Sequence, residues 1–169
     1  MGFALDISKF AEKCAKNSDQ VVRKTVIDIA SSLVDKSPVG DPKTWVSLMP
    51  YTSLMTKADK ARQRPKTMTR RKPPPGYAGG RFRANWQLGV DVHPEGEIDA
   101  LDKSGAKTKA KARAQIPKQA AGHVYTITNN LPYAQALEDG HSRQAPHGMV
   151  GLTKIEFQGI IKKSLAGLE

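Results

Sequence analysis

From residue 6 to 36, Ile7, Phe10, Cys14, Val21, Val22, Ile29, Leu33 and Val34 recur at three- and four-residue steps. That spacing puts side chains on one face of a helix. Lysines and acids fill the other face. Asn17-Ser18-Asp19 interrupts the stripe and predicts a kink, or a restart with a new cap. Ser37-Pro38 ends the helix, because a residue before proline avoids the helical region. Cys14 lies on the apolar stripe and reads as a buried structural thiol. No helical or strand period persists from 38 to 81, which holds seven of the eleven prolines. So long an excursion in a small domain is unusual unless it binds something.

A two-residue period takes over at 82–92. Phe82, Ala84, Trp86, Leu88, Val90 and Val92 alternate with polar residues and glycine, which predicts a strand covered on one side. Its first residues are also compatible with a helical turn. A helix is predicted over 104–116, with Ser104 as cap and Ala106, Ala110 and Ala114 on its packed side. His123 to Thr128 alternates as a second strand, and Asn129-Asn130 has turn chemistry. Pro132 suits the start of a short helix over 133–139, and Gly140 suits a left-handed stop after it. His141 to Gly148 is a loop and Met149 to Leu152 a short strand. Thr153 and Glu156 form a capping box for a last helix, with Phe157, Ile160, Ile161, Leu165 and Leu168 on one face. Trp86, Tyr133 and Leu137 are expected in the core.

The fold class expected is α+β: a small antiparallel sheet packed by an N-terminal and a C-terminal helix, with a long basic loop. Residues 1–169 form one domain, and 40–81 form the extended basic loop or arm.

Charge sharpens this picture. The formal net charge is +11, and it is concentrated. Between 57 and 83 lie Lys57, Lys60, Arg62, Arg64, Lys66, Arg70, Arg71, Lys72, Arg81 and Arg83 against Asp59 alone. Between 103 and 118 lie six more cations and no acid. The rest of the chain is therefore slightly acidic. The basic segments have three readings: docking on acidic surfaces of neighbouring proteins, contact with the DNA backbone, or solvation. Aromatic residues near them are few, which argues against stacking on single strands. The apolar share of 38% is low for a compact globule, so part of the surface is expected to meet partners. A lone cysteine points to a reducing compartment. There is no apolar run of membrane-spanning length and no secretory signal pattern, and Asp6 spoils a myristoylation motif. A soluble protein of the cytosol, or of a particle assembled there, is expected.

Catalytic signatures are weak. The glycine-rich stretch 76–81 lacks the Lys-Ser/Thr ending of a phosphate loop. His141 and His147 with Glu138 and Asp139 have no metal-ligand spacing. Ser142, His141 or His123, and Asp139 would have to form a catalytic triad, but adjacent residues rarely provide its geometry and no nucleophile elbow is present. No catalytic, cofactor or metal residue is assigned.

Several blocks together carry a resemblance. They are Ser37-Pro38-Val39-Gly40-Asp41-Pro42, then Gly76-Tyr77-Ala78-Gly79-Gly80-Arg81-Phe82-Arg83-Ala84-Asn85-Trp86-Gln87, then Asn129-Asn130-Leu131-Pro132-Tyr133-Ala134. Leu137-Glu138-Asp139-Gly140-His141-Ser142 and Gln144-Ala145-Pro146-His147-Gly148-Met149-Val150 complete the set. In this order the chain resembles the neck, or tail-completion, protein family of long-tailed bacteriophages, including minor tail proteins of the lambda Z type. The resemblance implies a virion structural protein with an α+β domain, no enzyme activity and no cofactor. It implies a homo-oligomeric ring, with a hexamer favoured, in the virion neck and assembled in the host cytoplasm. Its partners would be head-closure or portal-side proteins, the tail terminator or tube, and genomic DNA in transit. A tail terminator capping the tube and a DNA-binding accessory protein are the alternatives. The basic run between Trp45 and Pro73 departs from the family pattern. Besides the ten cations of 57–83, the expected contact residues are His141, Ser142, Arg143, Gln144 and His147. Arg81 and Arg83 are expected in ion pairs between subunits.

Overall fold

The structure is a computed structural model that describes residues 3–41 and 77–168, with side chains from residue 7 onward. The chain divides into two compact units: Met1–Val39 with Gly80–Glu169, and Gly40–Gly79. In the second unit the backbones of Gly40 and Gly79 touch, and the Tyr77 hydroxyl lies against Gly40. A Cβ on either glycine would overlap these atoms, so the described ends of this segment meet through a glycine pair. The expected arm residues Lys57, Lys60, Arg62, Arg64, Lys66, Arg70, Arg71 and Lys72 lie outside the described residues.

The first unit is an α+β fold. Its elements are α1 (Phe3–Lys36), α2 (Arg81–Ala84), β1 (Trp86–Val90), α3 (Ala106–Gln115), β2 (Tyr125–Asn129), α4 (Ala134–Glu138) and α5 (Val150–Leu165). The strands pair antiparallel, with Trp86 opposite Asn129 and Val90 opposite Tyr125.

Helix α1 runs unbroken through Asn17-Ser18-Asp19. The Ser18 hydroxyl donates to the Cys14 carbonyl one turn back, and the Asp19 carboxylate accepts from the Ala121 N–H at 2.8 Å. Both side chains are satisfied without breaking the helical ladder. Burial changes along α1: residues 7–16 are all exposed, and packing starts in its second half. Cys14 is therefore exposed, not a buried thiol. The stripe has the right period, but among the described residues nothing covers its first part, from Ile7 to Cys14.

Two apolar clusters sit along the packed half of α1. Val26 and Ala30 meet Leu88, Ala112, Ile116 and Ala120. Leu33 and Val34 meet Phe82, Trp86, Leu131, Ala145 and Met149. At the end of the helix, Ser37 Oγ donates to the Leu33 carbonyl at 2.7 Å and accepts from Trp86 Nε1 at 2.7 Å. Both polar groups of this junction are thus paired inside the core.

The alternating run 82–92 is partly strand. Phe82 and Ala84 are buried, but on a single helical turn after Gly80, whose φ is 106°. Asn85 is fully buried and explains the change of conformation. Its amide donates to the Arg81 and Ile98 carbonyls, and its oxygen accepts from the Ile98 N–H at 2.7 Å. At the other end Asp91 takes φ 57°, which reverses the chain and leaves Val92 exposed.

Helix α3 buries Thr108, Ala112 and, just past its end, Ile116, while Ala106, Ala110 and Ala114 face solvent. The predicted alanine side is therefore the outer one. Its start is held by Asp102 rather than by Ser104 alone. Asp102 accepts from the Gly105 N–H, the Thr108 N–H and the Thr108 hydroxyl at 2.8–2.9 Å. Burial pushes the Asp102 carboxyl up, but the bonds from Thr108, Ser104 and Gly105 outweigh it and hold its pKa below the ordinary value.

Helix α5 runs antiparallel to α1, with Ser32 against Thr153, Lys36 against Glu156 and Lys24 against the Lys163 carbonyl. The expected strand at 149–152 is its first turn. Thr153 and Glu156 face α1 instead of capping, because the helix starts earlier. Phe157 and Leu165 are about half exposed, and Tyr133 is exposed beside Phe82, so neither face is the core predicted for it. Leu137 packs on the Trp86 cluster as expected.

Candidate functional site

The loop 139–148 is the most tightly specified feature of the first unit. Helix α4 ends at Glu138, and Gly140 takes the left-handed conformation with φ 83°. The Glu138 carboxylate then reaches across the loop to the first turn of α5. It accepts from the N–H groups of Met149, Val150 and Gly151 at 2.8, 2.9 and 2.9 Å. Free N–H groups at a helix start attract an anion, and here a side chain eleven or more residues upstream supplies it. Burial pushes the Glu138 carboxyl up, but the three N–H bonds together hold its pKa below the ordinary value. Gly148, with φ 72°, lets the Glu138 carbonyl and carboxyl come close; a Cβ there would strike both.

The far side of the loop is tied to the end of the first segment. The Gln144 amide makes two 2.9 Å bonds to Val39, donating to its carbonyl and accepting from its N–H. Ala145 and Met149 plug the loop into the Trp86 cluster. His141 Nδ1 lies 2.8 Å from the Ala136 carbonyl. Ser142 pairs with Ala145 through an isolated bridge. Arg143 and His147 stand on the exposed side. The loop thus presents a fixed polar edge, and its inner residues fasten it.

The two described arginines at the start of α2 are engaged within the subunit. Arg83 donates to the carbonyls of Ser37 at 2.9 Å, Lys103 at 2.8 Å and Asp35 at 3.1 Å, fastening three segments. Arg81 pairs with Glu97 at 3.0 Å and Asp99 at 3.2 Å on the surface.

A shallow groove of about 360 Å³ lies between α1 and α5. It is lined by Ser32, Lys36, Glu156, Ile160 and Lys163, among others. Ser32 and Lys36 touch there, but Glu156 holds the same ammonium at 2.6 Å, and Ser32 also meets Thr153. The contacts form a packing network between two helices. No group of three or more His, Cys, Asp or Glu side chains among the described residues is placed to hold a metal. No helix among the described residues is long and apolar enough to cross a membrane.

Sequence reasoning weighed Glu138 only as a metal ligand and passed over Asp102 and Asn85. Glu138 and Asn85 bond backbone groups more than ten residues away, which no local motif announces; Asp102 bonds the N–H groups three and six residues on, a local cap that the Ser104 assignment overlooked. The described unit is defined by these backbone clamps and by exposed surfaces, and it presents no deep cleft. No family model, curated protein or solved structure matches the chain.

Proposed function

We propose that this chain is a structural virion protein that forms a ring at the head–tail junction of a long-tailed bacteriophage. In that ring it joins the head-closure or portal side to the tail terminator or tube, around the path of the DNA. One observation carries the reading beyond the resemblance itself: the blocks that resemble the neck family converge in space. Ser37 bonds Trp86, Val39 bonds Gln144, Asn129 bonds the Phe82 carbonyl, and Glu138 holds Met149. Leu131, Ala145 and Met149 share one apolar cluster with Trp86. The parts of the blocks that lie in the first unit therefore form its framework, which supports a resemblance of that unit over scattered matches. The exposed apolar stripe of Ile7 and Phe10 supports assembly with neighbours, since a projecting helix gains stability by packing.

Electron microscopy of lysates from a phage lacking the gene tests the proposal. Filled heads and unjoined tails are expected; normal virions would refute it. A virion reconstruction that places the chain at the top of the tube, below the neck, would replace it with the tail-terminator reading.

A further inference from the structure

The outer face of α3 has a role that the ring reading does not require. The helix reads AKTKAKARAQ, alternating alanine with cations. At about 100° per residue, Lys107 and Lys111 fall on one flank of the exposed surface and Lys109 and Arg113 on the other, with Ala106, Ala110 and Ala114 between the two rows. Lys103, Lys107, Lys111, Arg113 and Lys118 are exposed, while Lys109 is tied to Asp35 at 2.8 Å. No acid occurs between 103 and 118.

This arrangement opposes the helix's own electrostatics. Lys103 and Lys107 stand at the N-terminal end, where the helix dipole favours anions. Lys107 with Lys111, and Lys109 with Arg113, are like charges one turn apart, which destabilises a helix. Asp102 and Asp35 offset part of this repulsion. At the other end Arg23 of α1 donates to the carbonyls of Ile116 and Pro117 at 2.8 and 3.1 Å, placing one more cation at the end of the helix. A surface that repels itself in this way is stabilised by a polyanion.

The neighbours of the cations narrow the choice of polyanion. Protein interfaces are depleted in lysine and anchored by aromatic or large apolar residues. Here the exposed residues between the cations are Ala106, Ala110 and Ala114, which offer no anchor. Single-strand binders stack bases on aromatic side chains, and 103–118 contains none. Small alanines instead let the helix lie close against a smooth charged rod. We infer that the exposed face of α3 is a docking surface for the phosphate backbone of duplex DNA, without base reading. Binding needs only this face, so the inference stands or falls separately from the ring.

Fluorescence anisotropy of a short labelled duplex, titrated with the full chain across a range of salt, tests it. One variant carries K103Q, K107Q, K111Q and K118Q, which keeps the Lys109–Asp35 pair; a second carries arginine at the same four positions. Wild type is expected to bind with log K falling linearly in log salt. The glutamine variant is expected to lose about tenfold or more in affinity at low salt and to flatten the slope by about 2–4, near 0.9 per lost phosphate contact. The arginine variant is expected to bind at least as well as wild type, which separates loss of charge from loss of structure. Three results would overturn the inference: no binding by wild type, an unchanged slope and affinity in the glutamine variant, or lost binding in the arginine variant. Displacement of the duplex by polyglutamate at equal charge would also overturn it, in favour of an acidic protein surface. DNA binding by a chain that forms no ring, or a ring that binds no DNA, tells this failure from that of the ring proposal.

Discussion

Replacing Glu138 with glutamine keeps the shape of the side chain and removes the charge that holds three N–H groups at 2.8–2.9 Å. A bond to a charged acceptor is worth about 1.5–3 kcal/mol net, but three such values do not add here. The freed N–H groups lie in a first helical turn that reaches water, and glutamine still offers one oxygen. A partly buried charge at a helix terminus contributes up to about 2 kcal/mol. Adding roughly 1 kcal/mol for one lost bond sets the expected cost at about 2–3 kcal/mol. For a chain of this size that lowers Tm by about 5–10 °C. The sign with pH follows from the lowered pKa. Glu138 stabilises the fold above its ordinary value of 4.5, and this contribution is lost as pH falls through the lower folded-state value. Urea unfolding of wild type and Glu138→Gln should therefore show a constant gap near neutral pH that closes in acid. Hydrogen exchange should quicken at Met149, Val150 and Gly151 in the variant. A gap under about 0.5 kcal/mol at neutral pH, or one that persists unchanged well below the carboxylate range, would refute the clamp.

Gly148→Ala forces a Cβ into the Glu138 carbonyl and carboxyl at a left-handed φ, so thermal unfolding should show a loss of about 2 kcal/mol or more. Asp102→Asn should cost about 1–3 kcal/mol and speed hydrogen exchange at Gly105 and Thr108, because a charged acceptor of two N–H groups is lost. The Ser164 hydroxyl is buried with no partner among the described residues. Ser164→Ala should therefore leave stability unchanged or raise it by up to about 1 kcal/mol; a clear loss would mean the hydroxyl is paired. Changing Ile7 and Phe10 together to serine should change the unfolding free energy of the isolated subunit by no more than about 0.5 kcal/mol, since both are exposed. A larger loss would mean the start of α1 packs within its own subunit.

Elements with a sustained period were legible in the sequence. The three-four stripe of α1, its stop at Ser37-Pro38 and the Trp86–Leu88 strand core are all observed. The glycine stop after α4 is also present, at φ 83°. Periodicity misled where short elements are specified by a partner. Alanine spacing in α3 offered one face, but Thr108 was drawn inward by its two hydrogen bonds to Asp102, which turned Ala112 and Ile116 to the core. The alternation of 82–92 began with the helical turn that its first residues allowed, held by Asn85, and ended in a chain reversal at Asp91 that the pattern did not show. Thr153 and Glu156 fit a capping pattern, yet Glu138 capped the helix one turn earlier. In the candidate site the loop and its edge residues were visible; the clamp that fixes them was not.

By itself the sequence determined the long helices and the strand cores, where proline and glycine stop them, and where the cations concentrate. These are short-range properties, set by backbone sterics and by the repeat of apolar side chains. Only the tertiary structure decided which face of each helix is inside and which end of α1 is left uncovered. It also decided that the Glu138 carboxylate closes the backbone of a turn more than ten residues away. Those outcomes depend on burial and on bonds between residues far apart in the chain, where each orphan N–H takes the nearest acceptor that packing supplies. The same packing turned the lysines and small alanines of α3 outward as one cationic face.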